Sequence, residues 1–196
     1  MGIYPIMKFI HIISDITLFV GVGAQLLGHL ALRRVTRFEQ AHLLLGLISL
    51  SDRIGVTGAF LTIASGVYMA ATVWTFEVSW IMVALGSIAL FIGPLIGLVA
   101  EPRNKALVRA AKDNQSGELT DSFSAQVESP ILTGAIMTNM AVVAGIVFLM
   151  TTKPDLILSI VAMVTALALG LASAAIFWLT TRRATDHRAD GEPVVQ

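Results

Sequence analysis

Five long apolar runs, separated by short polar and basic segments, organise this chain. They are Ile6–Leu32, Ile54–Val73, Trp80–Ala100, Pro130–Met150 and Leu156–Thr180, each at least 20 residues long and poor in charge. An α-helix rises about 1.5 Å per residue, so roughly 20 apolar residues cross the hydrocarbon of a bilayer. A membrane β-barrel would instead show short alternating segments. The pattern predicts an all-α polytopic membrane bundle of about five transmembrane helices, one domain over residues 1–184, with a flexible polar tail over 185–196.

The connections add detail. Thr36–Leu50 mixes Arg37, Glu39 and His42 with Leu43, Leu44, Leu45, Leu47 and Ile48. It reads as an interfacial amphipathic helix or as an extension of the second span. Arg103–Val127 is more polar, helical over Asn104–Asp113 and a loop over Asn114–Thr120. Pro94 should bend the third span, and Glu101-Pro102-Arg103 should end it. Pro130 suits the first turn of the fourth.

Composition agrees with a membrane setting. Of the 196 residues, 56% are hydrophobic and 13% charged, with a mean hydropathy of +0.80. Soluble domains carry about 25% charged residues. The chain has no Cys, which removes disulfides and thiolate chemistry, and its net charge of zero offers no footprint for nucleic acid. The basic residues Arg33, Arg34 and Arg37 follow the first run, so it reads as a retained helix and not a signal peptide. Further basic groups follow the third run (Arg103, Lys105, Arg109, Lys112) and the fifth (Arg182, Arg183, Arg188). By the positive-inside asymmetry, the N-terminus is expected outside and the C-terminus inside. The expected location is a bacterial cytoplasmic (inner) membrane.

The first span carries the clearest candidate chemistry. Lys8, His11, Asp15, Leu18, Val22, Gln25 and His29 follow one another at helical spacing, and five of the seven are polar or ionisable. Asp15 lies roughly two turns inside the outer end, where a carboxylate costs on the order of 2.5–3.5 kcal/mol and normally has a protein or water partner. His11 stands one turn above it, in the i, i+4 relation that permits contact. His11 is thus the candidate cofactor ligand or proton carrier, with Asp15 orienting its ring. The alternative is that the pair only holds the bundle together. Lys8 and His29 also suit plain interfacial roles. A neighbouring face bears Ser14, Gly21 and Gly28, a spacing that lets another helix approach closely.

His29 and His42 form a second candidate metal or haem site if the chain reverses at the Arg-rich turn. His11 and His29 stand roughly 27 Å apart along the helix and cannot share one ion. Asn139, deep in the fourth span, reads as interhelical glue, and Arg53 either snorkels to the interface or pairs with Asp52 or Glu101. The second and fourth spans share a TGAxxT pattern, Thr57–Thr62 and Thr133–Thr138. It suggests either a parallel internal repeat or simply small residues for close packing.

The opening Lys8-Phe9-Ile10-His11, the apolar helix with Gly21 and Gly23, Arg33-Arg34, and the Ser51-Asp52-Arg53 start of the second span resemble a bacterial family of integral membrane proteins designated a domain of unknown function. That family is distantly similar to CopD-type copper-resistance proteins and HemJ-type protoporphyrinogen oxidases. The HemJ resemblance implies a haem b held by a first-helix His, here His11, with Lys8 beside it. The chain lacks a Trp near Lys8 and has a polar internal loop, so the oxidase activity is not carried over.

These readings converge on a membrane protein that binds haem b, or else copper or another metal, through His11, supported by Asp15 and Lys8, in redox-linked chemistry. The alternative is a cofactor-free transporter-like or accessory subunit whose stripe serves proton passage or helix assembly. Beyond the bilayer, the expected partners are a second copy of the chain or a larger membrane complex.

Overall fold

A computed structural model describes residues 2–114 and 116–189, with backbone alone over 181–189. Among the described residues six helices account for the fold: α1 (Ile3–Leu32), α2 (Phe38–Thr72), α3 (Ser79–Lys112), α4 (Asp121–Glu128), α5 (Pro130–Thr152) and α6 (Leu156–Ala189). Five of them, all but α4, are long and apolar enough to cross a membrane. Among the described residues there is no strand, only an isolated bridge between Arg37 and Glu118. Of the expected tail, the backbone is helical through Ala189, and 190–196 lie outside the described residues. So do the side chains of Arg182, Arg183 and Arg188.

Small residues set the main packing. A Cβ on Gly21 would stand 2.5 Å from the backbone of Gly55, and one on Gly58 would stand 2.6 Å from the Leu18 nitrogen. A Cβ on Gly28 would meet the Ile48 side chain at 2.6 Å. The register is constant. Steps of seven along α1, His11 to Leu18 and Gly21 to Gly28, are matched by steps of seven back along α2, Ser65 to Gly58 and Gly55 to Ile48. A seven-residue repeat is the signature of coiled-coil packing. The Ser14, Gly21, Gly28 face therefore does what its spacing predicts, and its partner is α2.

The segment 36–50 is an extension of the second span, since α2 runs unbroken from Phe38. The third span differs more. Helix α3 does not end at Glu101-Pro102-Arg103 but continues to Lys112. Around Gly93-Pro94 it widens into π-helical segments at Ile88–Ile92 and Leu95–Ala100. A π turn inserts a residue and shifts the hydrogen-bond register, which lets a helix absorb the N–H that proline lacks. Pro102 then falls in the first turn of the α-helical stretch that follows, where no N–H is needed.

Helix α5 is the centre of the bundle. It touches α1, α3 and α6, and half of its most apolar stretch is buried, against 17–28% in the other four spans. The TGAxxT segments do not play matching roles. Gly58 packs backward on α1, whereas Gly134 meets Ala174 of the following α6, its Cβ position 3.1 Å away. The close-packing reading accounts for both glycines.

Each end of the bundle has its own cluster. At one end Trp74 and Trp80 meet edge to face at 5.7 Å, and the Lys153 ammonium sits 4.3 Å over the Trp74 ring. At the basic end, Phe38, Phe123, Leu32, Leu107 and Ala111 form a buried cap in which α4 covers the ends of α1, α2 and α3. Backbone bonds pin it: the Phe38 N–H donates to the Gly117 carbonyl at 2.9 Å and the Leu119 N–H to that of Thr36 at 3.1 Å.

Arg33 staples this cap to the bundle. Its Nε donates to the Val127 carbonyl at 3.3 Å, its Nη2 donates to the Glu128 carbonyl, and its guanidinium stands 4.8 Å from the Phe177 ring centre. Those carbonyls belong to the last turn of α4, where no backbone partner exists. Arg33→Ala is expected to lower stability by about 2 kcal/mol, the scale of hydrogen bonds from a charged group. Arg33→Lys should recover only part, since a point charge cannot bridge two carbonyls. Unfolding in detergent micelles measures both, and equal stability of Arg33→Ala and the parent would refute the staple.

Candidate functional site: a buried imidazole and a membrane-embedded cavity

His11 is fixed by α2. Its Nδ1 lies 2.9 Å from the Thr62 carbonyl and 3.0 Å from Ser65 Oγ, and only 9% of the residue is exposed. The Ser65 hydroxyl donates to the backbone carbonyls of Leu61 and Thr62 at 2.6 and 3.1 Å. A carbonyl only accepts, so Nδ1 carries the hydrogen and donates it. In the neutral ring Nε2 then keeps its lone pair. That atom faces Asp15 Oδ2 at 4.0 Å. Helix α2 comes this close because position 66 is glycine: a Cβ there would lie 3.0 Å from the His11 ring. Lys8 is exposed on the surface of α1.

Below this pair, α1, α2, α3 and α5 enclose a cavity of about 120 Å³, room for several waters. Its walls are mostly aliphatic, including Leu18, Val22, Ile92 and Val143. The two π segments of α3 form one side of it through Ile88, Ile92, Leu95 and Ile96. The polar groups on it are sparse and specific. Asp15 and Thr62 line it towards His11, Asn139 comes from α5, and Gln25, Asp52 and Glu101 stand nearer the basic end. Gln25 Nε2 donates to Asp52 Oδ1 at 3.3 Å. Glu101 pairs with Lys105 at 2.8 Å, one turn along its own helix, and not with Arg53, which is exposed.

Among the described residues, Asn139 Oδ1 is buried without a protein hydrogen-bond partner, whereas Thr62 Oγ1 lies by the Asp15 carboxylate and Asn104 Oδ1 by His29 Nε2. Asn139 lines the cavity. A buried polar atom without a partner costs about 1–3 kcal/mol, so such atoms call for water or a ligand.

His29 and His42 are not brought together. The α1–α2 register sets His29 level with Leu47, leaving His42 about 7.5 Å further along the axis. His29 is buried beside Asn104 of α3, while the His42 ring donates through Nδ1 to its own helix at the Phe38 carbonyl, 2.7 Å away. Among the described residues, no three His, Asp or Glu side chains converge as a metal site would require.

The sequence singled out His11 and Asp15 but not what surrounds them. Thr62 and Ser65 are unremarkable residues in an apolar helix, Asp52 and Glu101 stand at the ends of apolar runs, and Asn104 opens the polar stretch after the third. The signal that joins them is the heptad register, which carries α2 past α1 and sets Ser65 opposite His11 and Asp52 beside Gln25.

No curated protein and no solved structure matches the chain. Residues 5–154 match the model of a family described as "Predicted integral membrane protein (DUF2269)". The match spans α1 to α5 and takes in the whole cavity wall, and the chain belongs to this family of integral membrane proteins.

Proposed function

We propose that this is a proton-handling membrane protein of the transporter or accessory-subunit kind, in which His11 and Asp15 hold and release a proton at one end of a polar-lined cavity. One observation carries the reading: Nδ1 is committed to Thr62, so the remaining basic atom of the ring points at a carboxylate 4.0 Å away. A protonated ring forms an ion pair there, and a neutral one does not. Asp15 lines the cavity and His11 stands directly behind it, which gives the proton a route towards the interior. With the basic loops in the cytoplasm of a bacterial inner membrane, the pair faces the outer half of the bilayer.

Reconstitution in vesicles loaded with a pH-sensitive dye tests this. His11→Ala and Asp15→Asn should each slow proton movement by about 100-fold, the scale of a lost acid–base group. Lys8→Ala should change little. Unaltered flux in both of the first two variants would sink the proposal.

A second reading makes His11 a ligand of haem b or a metal, and the free Nε2 favours it. The geometry fits such a group poorly. The Asp15 carboxylate stands before Nε2, and His11 is not on the cavity wall. Haem-supplemented expression separates the two readings: a Soret band lost in His11→Ala but kept in His29→Ala would support ligation.

A further inference from the structure

We propose that the cavity between α1, α2, α3 and α5 is a binding site for an organic monocation with an apolar body. The inference goes beyond the proton role of His11 and does not rest on it.

Three observations combine. First, the walls are overwhelmingly aliphatic, which suits an apolar ligand and gives an inorganic ion little to replace its hydration shell. Second, every charged side chain on the lining is a carboxylate, namely Asp15, Asp52 and Glu101, and no Lys or Arg is among them. Glu101 pairs with Lys105, while Asp52 accepts a neutral amide hydrogen from Gln25 and shares the more distant field of Lys105 with Glu101. Two neighbouring carboxylates, Asp52 and Glu101, that share one lysine favour a further cation beside them. Third, Asn139 is 94% buried by its 6% exposure, lines the cavity, and has a carbonyl oxygen with no partner. That orphaned atom is an acceptor, so an occupant that answers it presents positive or hydrogen-bearing polar surface. An anion meets repulsion from the carboxylates here, and a neutral hydrocarbon leaves the Asn139 acceptor unanswered.

The combination specifies a quaternary or protonated amine on a compact hydrocarbon frame. Such a molecule can enter from the lipid side, since the cavity lies within the spans and is only partly enclosed. The aliphatic part packs on Leu18, Val22 and Val143, while the charged head settles towards Asp52 and Asn139.

Benzyltrimethylammonium and its uncharged carbon isostere neopentylbenzene supply the test, by titration calorimetry on the full chain in detergent. The cation should bind at least about tenfold more tightly than the isostere, the scale of one charge-assisted contact. Asp52→Asn should reduce that preference, and Asn139→Leu, which fills the cavity, should abolish binding of the cation. Equal affinity for the two molecules would overturn the proposal, leaving a plain apolar crevice. Absence of binding by either would overturn it too and leave water as the occupant. The comparison on the unaltered chain decides the matter even if both variants fail to fold. Proton flux through His11 is a separate readout, so either proposal can fail alone.

Discussion

Gly21→Leu is expected to abolish the folded protein, while Gly23→Leu two positions away leaves it intact. The two glycines share a helix, a membrane depth and a composition. They differ in what lies opposite. A Cβ at position 21 would stand 2.5 Å from the Gly55 Cα and nitrogen and 2.9 Å from the Ser51 carbonyl, all backbone atoms of α2. At position 23 nothing lies within 4 Å. Backbone cannot swing aside as a side chain can, so α1 and α2 would have to separate along their whole heptad register. With lipid as solvent, close packing and interhelical contacts are what hold helices together, and separation forfeits them. The expected loss is on the order of 4 kcal/mol or more, at the severe end for a single substitution. Thermal melting and size-exclusion profiles in detergent would show it. A Gly21→Leu protein as stable as Gly23→Leu would mean that the helices do not meet here.

The second large effect is expected at the basic end. Phe123 is 1% exposed, meets Phe38 with ring centres 5.3 Å apart, and sits among Leu107, Leu32 and Val127. Phe123→Ala removes most of a buried aromatic side chain, a change that typically costs about 3–5 kcal/mol. Helix α4 is eight residues long and has few other anchors, so the loss should appear as local opening and not as collapse of the spans. Limited proteolysis should cut between residues 113 and 129 in Phe123→Ala and spare the parent. Phe123→Leu, which keeps much of the volume, should be cut more slowly than Phe123→Ala. Cleavage at parental rates in Phe123→Ala would show that the cap is held by its backbone bonds to residues 36–38 and by Arg33, without need of the Phe123 ring.

These two sites illustrate what the sequence made visible. The five spans were legible because burial in lipid demands long apolar runs. Gly21 and Gly28 were legible as a packing face because a helix places them one above the other. Their partner was not, since α2 carries small residues at many positions and only the three-dimensional register selects Gly55 and Gly58. The length of α3 was misread at Pro102, where the rule that proline ends helices met a π segment that shifts the hydrogen-bond pattern first. His11 and Asp15 stood out as ionisable groups one turn apart. The cavity did not, because Asp52, Glu101, Asn104 and Asn139 come from three helices, and each has an ordinary local explanation at an end of a span or as a packing residue.

The two π segments give α3 a property that its neighbours lack. Helices α1 and α2 are locked to each other every seven residues and can slide only by breaking several contacts at once. Helix α3 is wound with surplus residues on either side of Gly93-Pro94. Were one of those wide turns to tighten to ordinary α winding, everything beyond it would rotate by about 100° and shift by about 1.5 Å along the axis. Glu101 and Asn104 lie beyond both turns. The buried cap, which holds Leu107 and Ala111 further along the same helix, is thus what keeps those spare residues from being wound in, and one wall of the cavity owes its face to a lock at the far end of its helix.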